Sequence, residues 1–393
     1  MAVIAFNARL IIPGRLDGIG WFSLETIQRI ASAHPEHSFH LIFDRPAPDE
    51  LFASENIVTH HLYPPARRPW LVDLFMDYAV PRLLNRIQAN LFVGPDGFLS
   101  RRTSVAQLAV MHDLNFEHHP EWLPPRVAKH YRARFREFSS IATRIATVSE
   151  FSKRDISSRY GVDEDRIDAV YNGLGGVYMS ADFDASRRQE MRSTWADNAE
   201  YFVYVGTLHA RKNIEGLLGA FAAYCRSGGL WNLVIVGTPL WKRKKLGAMQ
   251  VYQALEPEVK VRVCFTGWQE QETVAAIVAT AGAMVFIPWY EGFGVPLIEA
   301  FSVGTPVILS NRTALPEIAG DAARLVDPSD EDAVAQSMLY LEKNPQVCLE
   351  MAAAGRIRAK AFTWDRSARA LWSSIARTAG LPDDSPTDHH ATL

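Results

Sequence analysis

Short apolar runs separated by amphipathic stretches recur along this chain from end to end, and that alternation restricts the fold more than any single motif. In the first half the runs lie at 3–6, 39–43, 91–93, 105–111, 144–148 and 167–171. Helical periodicity fills several of the gaps, at 21–33, 71–87 and 149–159, the last followed by Gly161, where a helix commonly ends. Strands that alternate with helices in this way build parallel sheets with crossover connections. Around 172–186 the periodicity fades, and that segment reads as a linker. The pattern then restarts at 201–205, 233–236, 261–265, 283–287, 307–309 and 324–326. The expectation is an α/β protein of two doubly wound, Rossmann-like domains facing across a cleft. Their bounds are read as 1–172 and 199–361, with a linker over 173–198, a helix over 362–380 packing back on the first domain, and a disordered tail over 381–393.

A chain of 393 residues has length enough for two such domains. Its formal charge of −3 gives no global reason to expect a nucleic-acid partner. Cys225, Cys264 and Cys348 are widely spaced and share no metal-ligand pattern, which fits a reducing compartment. The first residues read as a strand instead of a signal peptide, and the longest apolar stretch, 275–289, is interrupted by Gly282 and Pro288. A cytoplasmic protein is expected.

The richest chemistry lies after the apolar run 283–287. Glu291 and Glu299 bracket Gly292, Phe293, Gly294, Val295, Pro296 and Leu297, a glycine turn running into a helix. The glycines let the backbone approach a ligand closely, and Pro296 suits a first helical turn, where an N–H would have no partner. Free N–H groups at the carboxyl end of a parallel strand are placed to bind an anion such as a diphosphate. A carboxylate in that turn, Glu299, accepts hydroxyl hydrogen bonds from a ribose, and Glu291 does the same for a second sugar. The pattern reads as a site for a sugar attached to a nucleotide.

Two other strand ends in the second half support it. Gly206 and Thr207 follow 201–205, and Arg211 and Lys212 open the next helical stretch. The planar fork of Arg211 and the mobile charge of Lys212 suit a leaving diphosphate, although an adjacent Arg-Lys pair by itself is as often a solvated surface. Gly237-Thr238-Pro239 and Gly267-Trp268 follow further strands and would line the edge near a base. Pro316-Glu317 with Ala319-Gly320-Asp321 reads as a turn and short helix whose role is packing.

In the first half, Gly18 and Gly20 lie in Asp17-Gly18-Ile19-Gly20 between a strand and a helix, with N–H groups expected to face the cleft. His112 and Asp113 end a strand, where the imidazole would bond a sugar hydroxyl or steady developing positive charge with Asp113 orienting it. A capped strand end is the plainer reading. Arg132 and Arg134 belong to a basic stretch, 126–136, interleaved with Val127, Tyr131 and Phe135. It has two readings, a grip on an anionic lipid-linked acceptor or membrane surface and an ordinary solvated helix face. Trp70, Leu71, Leu74 and Phe75 likewise suit an apolar acceptor wall or a buried helix.

Taken together, Gly206-Thr207, Arg211-Lys212-Asn213, Glu291 through Glu299, and Leu315-Pro316-Glu317-Ile318-Ala319-Gly320-Asp321-Ala322-Ala323 resemble the large family of retaining glycosyltransferases with the GT-B fold and its E-x7-E motif, bacterial mannosyltransferases among them. Thr147 through Ser152 and Tyr171-Asn172-Gly173 are similar to the family in the first half. Asp17 stands where the family usually has the first of two glycines, and Tyr171 where it often has proline. The resemblance implies that Arg211 and Lys212 bind the donor diphosphate, Glu299 the ribose and Glu291 the donor sugar, with the backbone of Phe293, Gly294 and Val295 on sugar hydroxyls. It implies a functional role for His112 and a Ser149 that caps a helix. It also implies transfer of a sugar from a GDP- or UDP-linked donor, with mannose from GDP-mannose favoured, to a hydroxyl of a surface glycan or lipid-linked acceptor, with retention. No cofactor beyond the nucleotide-sugar substrate is expected, and no metal. The alternatives are a nucleotide-sugar epimerase or hydrolase on the same architecture, or a binding module without catalysis. Attachment at the inner membrane face through 126–136 is compatible with each. The triad His34, His37 and His40 is interrupted by Pro35, and Asp182-Phe183-Asp184 falls in the linker, so neither reads as a metal site.

Overall fold

The computed structural model describes residues 1–382 except Pro13, Arg15 and the stretches 48–53, 180–183 and 239–246. The expected disordered tail beyond residue 382, Pro239, Asp182 and Phe183 therefore lie outside the described residues. The chain forms two compact units, one of Met1–Gly173 with the chain from Thr363 onward, the other of Leu174–Phe362.

Unit 1 holds a seven-stranded parallel sheet of β1 (Val3–Asn7), β2 (Ser38–Phe43), β3 (Ile57–His61), β4 (Leu91–Gly94), β5 (Ala106–Val110), β6 (Arg144–Thr147) and β7 (Ile167–Ala169). Their order is β3-β2-β1-β4-β5-β6-β7. The central strands β1, β4 and β5 are buried apart from the first residue of β1 and of β5, as their continuous apolar sequences require. β3 departs from the sequence reading, which placed no strand there. It is an edge strand with Val58, Thr59 and His61 exposed, so it lacks the apolar run that marks the others.

The helix expected over 71–87 is three segments, Pro69–Leu74, a π-helical turn Phe75–Ala79, and Val80–Arg86. Pro81 has no N–H to offer the carbonyl of Asp77, and the wider turn lies just before it. The final helix, Trp364–Ala379, is capped by Thr363 and packs on the Gly18–Ala33 helix. Trp372 stacks on His34 at 3.7 Å between ring centroids, and Ser374 Oγ donates to Asp168 at 2.8 Å. A Cβ at Gly173 would lie 2.3 Å from the Trp364 nitrogen, so that position accepts only glycine.

Unit 2 carries a six-stranded parallel sheet, β8 (Tyr201–Val205), β9 (Asn232–Val236), β10 (Val263–Gly267), β11 (Ala283–Phe286), β12 (Val307–Ser310) and β13 (Arg324–Val326). The order is β10-β9-β8-β11-β12-β13. Part of the segment expected as linker is ordered differently. Ala185–Trp195 is a helix whose N-terminus is capped by Asp184, and it packs on the Gln271–Thr280 helix of unit 2. Its sequence is mostly polar, with Met191 as its one buried side chain, so the helical period carried little apolar signal.

Candidate functional site

Sheet order puts the switch point of unit 2 between β8 and β11, because the chain winds outward in opposite directions from these neighbours. Ligands of open α/β sheets bind outside the carboxyl ends of strands at such a point. The residues singled out in the second half converge there. Lys212 Nζ donates to Glu291 Oε1 at 2.6 Å, and Arg211 Nη1 lies 3.0 Å from the same oxygen. Arg211 also donates to the Tyr290 carbonyl at 3.0 Å.

Asn213 makes this convergence possible. It adopts a left-handed conformation, caps the Ile214–Arg226 helix, and donates from Nδ2 to the carbonyls of Ile287 and Pro328. The start of that helix is thereby tied to the end of β11. Lys212 is buried, with its ammonium 5.1 Å from the centre of the Phe286 ring.

The buried carboxyl of Glu291 would by burial resist ionisation, but the charges of Arg211 and Lys212 outweigh this and hold its pKa below the usual value. Two cations share one carboxylate, which leaves a net positive charge at the switch point.

The turn after Glu291 is held by its neighbours. The Glu291 N–H donates to Thr313 Oγ1 at 3.1 Å, and Leu315 fills the space that a Cβ on Gly294 would occupy, 2.5 Å from such an atom. Gly294 has φ +98 and is the N-cap of the Val295–Val303 helix, with Pro296 in the first turn and no side chain capping the end. The Leu315–Ala319 helix thus has the packing role expected of it. Phe293 turns its ring inward against Phe362, so it can offer a ligand only its backbone.

Glu299 sits one turn into that helix, half-buried, with the Tyr178 hydroxyl hydrogen-bonded to it. Burial raises its pKa to about 7, and the Tyr178 bond opposes that rise. The Leu297 side chain, in the same helix, is fully buried.

The adjoining loops are zipped together by their backbones. Gly206 N–H donates to Val236 O, Leu208 N–H to Thr238 O, and Gly237 N–H to Gly267 O, each at 3.0 Å. A Cβ on Gly237 would meet the Gly206 carbonyl oxygen at 1.9 Å, which is the physical reason for glycine there. Thr207 and Thr238 are exposed on this edge, and Trp268 projects from it.

In unit 1 the switch point falls between β1 and β4. The sequence reading missed what occupies it. Asn7 Nδ2 donates to Asp96 Oδ1 at 2.9 Å, and Arg9 pairs with Asp96 Oδ2 at 2.7 Å. Asn7 and Asp96 are buried; Asn7 ends β1, and Asp96 lies in the turn two positions after β4. A polar residue at the end of an apolar run was the available signal for Asn7; Asp96, past the end of β4, gave none.

His112 stands at the end of β5, and its Nε2 lies 2.9 Å from the Pro95 carbonyl. A carbonyl only accepts, so Nε2 carries a proton. Burial lowers the imidazole pKa against the opposing pull of the Pro95 carbonyl and of Asp113, Asp17 and Asp96. The neutral ring then has its lone pair on Nδ1, which suits it to accept from a hydroxyl.

Three expectations in unit 1 are corrected. Asp113 does not orient His112 directly: its carboxylate accepts from the backbone and side chain of Asn115, and the Pro95 carbonyl holds the ring. Gly18 and Gly20 lie in the first turn of the Gly18–Ala33 helix, but the Asp17 carboxylate caps it by accepting from Gly20 N–H at 2.9 Å. An anion there would meet a carboxylate already in place. Arg132 and Arg134 are neutralised locally, Arg132 by the buried Glu117 at 2.9 Å and Arg134 by Asp73 at 2.7 and 3.0 Å and Glu137 at 3.1 Å. The Pro125–Ile141 helix uses these charges to hold unit 1 together. Ser149 does cap the Glu150–Tyr160 helix.

Among the described residues, no group of three His, Cys, Asp or Glu side chains is disposed to hold a metal ion, and no helix is long and apolar enough to cross a membrane.

Comparison with known proteins agrees with this geometry. Residues 186–358 match the family of glycosyl transferases group 1, and residues 16–174 match glycosyltransferase family 4. The chain is 28% identical over 375 residues to the O-antigen chain mannosyltransferase B of Escherichia coli, covering 89% of this chain and 93% of that one. It is 28% identical over 208 residues to a GDP-mannose-dependent alpha-(1-6)-phosphatidylinositol dimannoside mannosyltransferase of Mycobacterium tuberculosis, about half of each chain (52% and 51%). Among solved structures, a sucrose-phosphate synthase from Thermosynechococcus elongatus superposes with a TM-score of 0.74 at 19% identity, over 96% of this chain and 99% of that one.

Proposed function

We propose that this chain, which belongs to the group 1 glycosyltransferases with the GT-B fold, moves mannose from GDP-mannose to a hydroxyl of a growing surface glycan with retention of configuration. The observation that carries the proposal is the pairing of Lys212 and Arg211 with Glu291 at the switch point of unit 2, beside a helix end that no side chain caps. The mannosyltransferase relatives favour mannose, and the mycobacterial one is GDP-mannose-dependent by its name.

In this reading the diphosphate lies against Arg211, Lys212 and the first turn of the Val295–Val303 helix. Positive charge placed in advance where negative charge develops lowers the barrier. Glu299 takes the ribose hydroxyls, and Glu291 and the backbone around Gly294 take those of the sugar. The bond from the anomeric carbon to the phosphate oxygen breaks as the acceptor oxygen bonds that carbon on the same face. The acceptor proton passes to the departing phosphate oxygen, and GDP leaves. His112 of unit 1, neutral with its lone pair on Nδ1, is suited to accept from a sugar hydroxyl.

The test supplies radiolabelled GDP-mannose or UDP-glucose with mannose-terminated oligosaccharides and determines the new linkage by NMR. Transfer from GDP-mannose with an α-linked product is expected. A β-linked product would refute retention, and transfer from UDP-glucose alone would refute the donor.

A further inference from the structure

The helical run Pro69–Arg86 in unit 1 is apolar on two sides. Its inner side, with Phe75, Val80 and Leu84, is part of the hydrophobic core. Its outer side exposes Trp70, Leu74 and Tyr78, at 57%, 40% and 41% of their full surface, following one another at four-residue steps. Large apolar side chains scattered singly on a surface are ordinary, but three in consecutive turns of one helix are a stripe.

Among the described residues of the run and its immediate flank, 67–86, the exposed charged side chains are all arginines. Arg67 and Arg68 precede the helix, and Arg82 and Arg86 continue the exposed side beyond Tyr78; all four are exposed. Arg102 lies over the Tyr78 ring at 4.5 Å. The run's two carboxylates, Asp73 and Asp77, are not exposed, and each is already paired with an arginine, Arg134 and Arg101 respectively. Aromatic and aliphatic side chains flanked by exposed arginines, on a run whose own two carboxylates are paired, match the boundary of an anionic bilayer, where rings settle among headgroups and arginines meet phosphate.

We propose that this outer side of the Pro69–Arg86 run docks the protein on an anionic membrane surface. The Pro125–Ile141 helix, whose sequence is more basic, is the weaker candidate, because Arg132 and Arg134 are spent on internal carboxylates. Trp70 and Leu74 thereby acquire a role that needs no acceptor.

The test is co-sedimentation of the purified full chain with vesicles of phosphatidylcholine, alone or mixed with phosphatidylglycerol, free of any glycan-bearing lipid. The protein is expected to pellet with the anionic vesicles, less as salt rises, and to stay in solution with the neutral ones. The Trp70→Ser/Leu74→Ser/Tyr78→Ser variant is expected to bind anionic vesicles at least about tenfold more weakly, with unchanged thermal unfolding and nucleotide binding. The Arg82→Glu/Arg86→Glu variant tests the same surface without touching the apolar stripe, and is expected to lose binding to anionic vesicles. Equal partition of the unaltered protein between both vesicle types, or unaltered binding by either folded variant, would overturn the proposal.

Discussion

Lys212 and Glu291 form a buried ion pair of 2.6 Å across the switch point of unit 2, although 79 positions separate them in the chain. Arg211 shares the same carboxylate oxygen at 3.0 Å. The arrangement keeps two cations in place and half-neutralised in a low-dielectric site, ready for a more highly charged anion. It explains why the Arg-Lys pair starts a helix tied by Asn213 to the strand that leads to Glu291.

Removing the ammonium tests this directly. Lys212→Ala is expected to lower turnover by roughly two orders of magnitude, the usual effect of losing one preorganised electrostatic contact. Glu291 keeps Arg211 as a partner, so the variant should fold. The check is kcat with circular dichroism on the same sample. Near-normal turnover would remove Lys212 from the mechanism.

Glu299 gives a pH dependence of definite sign. Its pKa is about 7 in the folded protein against a usual 4.5. The folded state therefore holds a proton that the unfolded state has released, and stability should fall as pH rises from about 4.5 to 7 and then level off. A ribose needs the ionised carboxylate as acceptor, so nucleotide affinity should change the other way, rising as pH passes through about 7. Titrations across this range on the protein and on Glu299→Gln separate the two effects, because both slopes should flatten in the variant.

Backbone geometry predicts where glycine cannot be replaced. Gly237→Ala would press a methyl on the Gly206 carbonyl, and Gly294→Ala would meet Leu315 at a φ of +98. Each is expected to cost about 1–3 kcal/mol or more. Thermal unfolding should show it. Gly18→Ala, with open space around the added carbon, is the contrasting case and should be nearly silent.

The arginines of the Pro125–Ile141 helix should behave as structural residues. Arg132→Ala leaves the buried Glu117 with the Tyr160 hydroxyl but without its cation. A loss of stability of about 3–5 kcal/mol is expected for a buried charge deprived of its ion partner, lessened here by the exposure of Arg132. Its KM for acceptor should not move. A raised KM with unchanged stability would restore the acceptor role read from the sequence.

The parts of this molecule that were legible in its sequence are those that buried side chains dictate. β8 and β11 are continuous apolar runs because both faces of each strand are covered, and the glycine turn before Val295 is required by a positive φ. β3 was not legible because an edge strand with exposed Thr59 and His61 has no apolar run to show. The Asn7–Asp96–Arg9 cluster was hidden for a different reason. Its members come from separate strand ends, and only the sheet order brings them together. The basic stretch 126–136 misled because sequence shows where cations are and says nothing of the Glu117 and Asp73 that neutralise them.

If Arg211 and Lys212 supply the cations for the diphosphate, as proposed, a chelator should leave transfer unchanged. An assay with and without EDTA checks it, and loss of activity restored by a divalent ion would contradict it.

The central claim is that unit 2 binds a nucleoside diphosphate at the Lys212–Glu291 pair, and calorimetric titration of GDP and UDP into the protein and into Lys212→Ala tests it most directly. The account predicts tight binding of GDP over UDP that is largely lost in the variant. Binding of neither nucleotide, or equal binding by the variant, would contradict it.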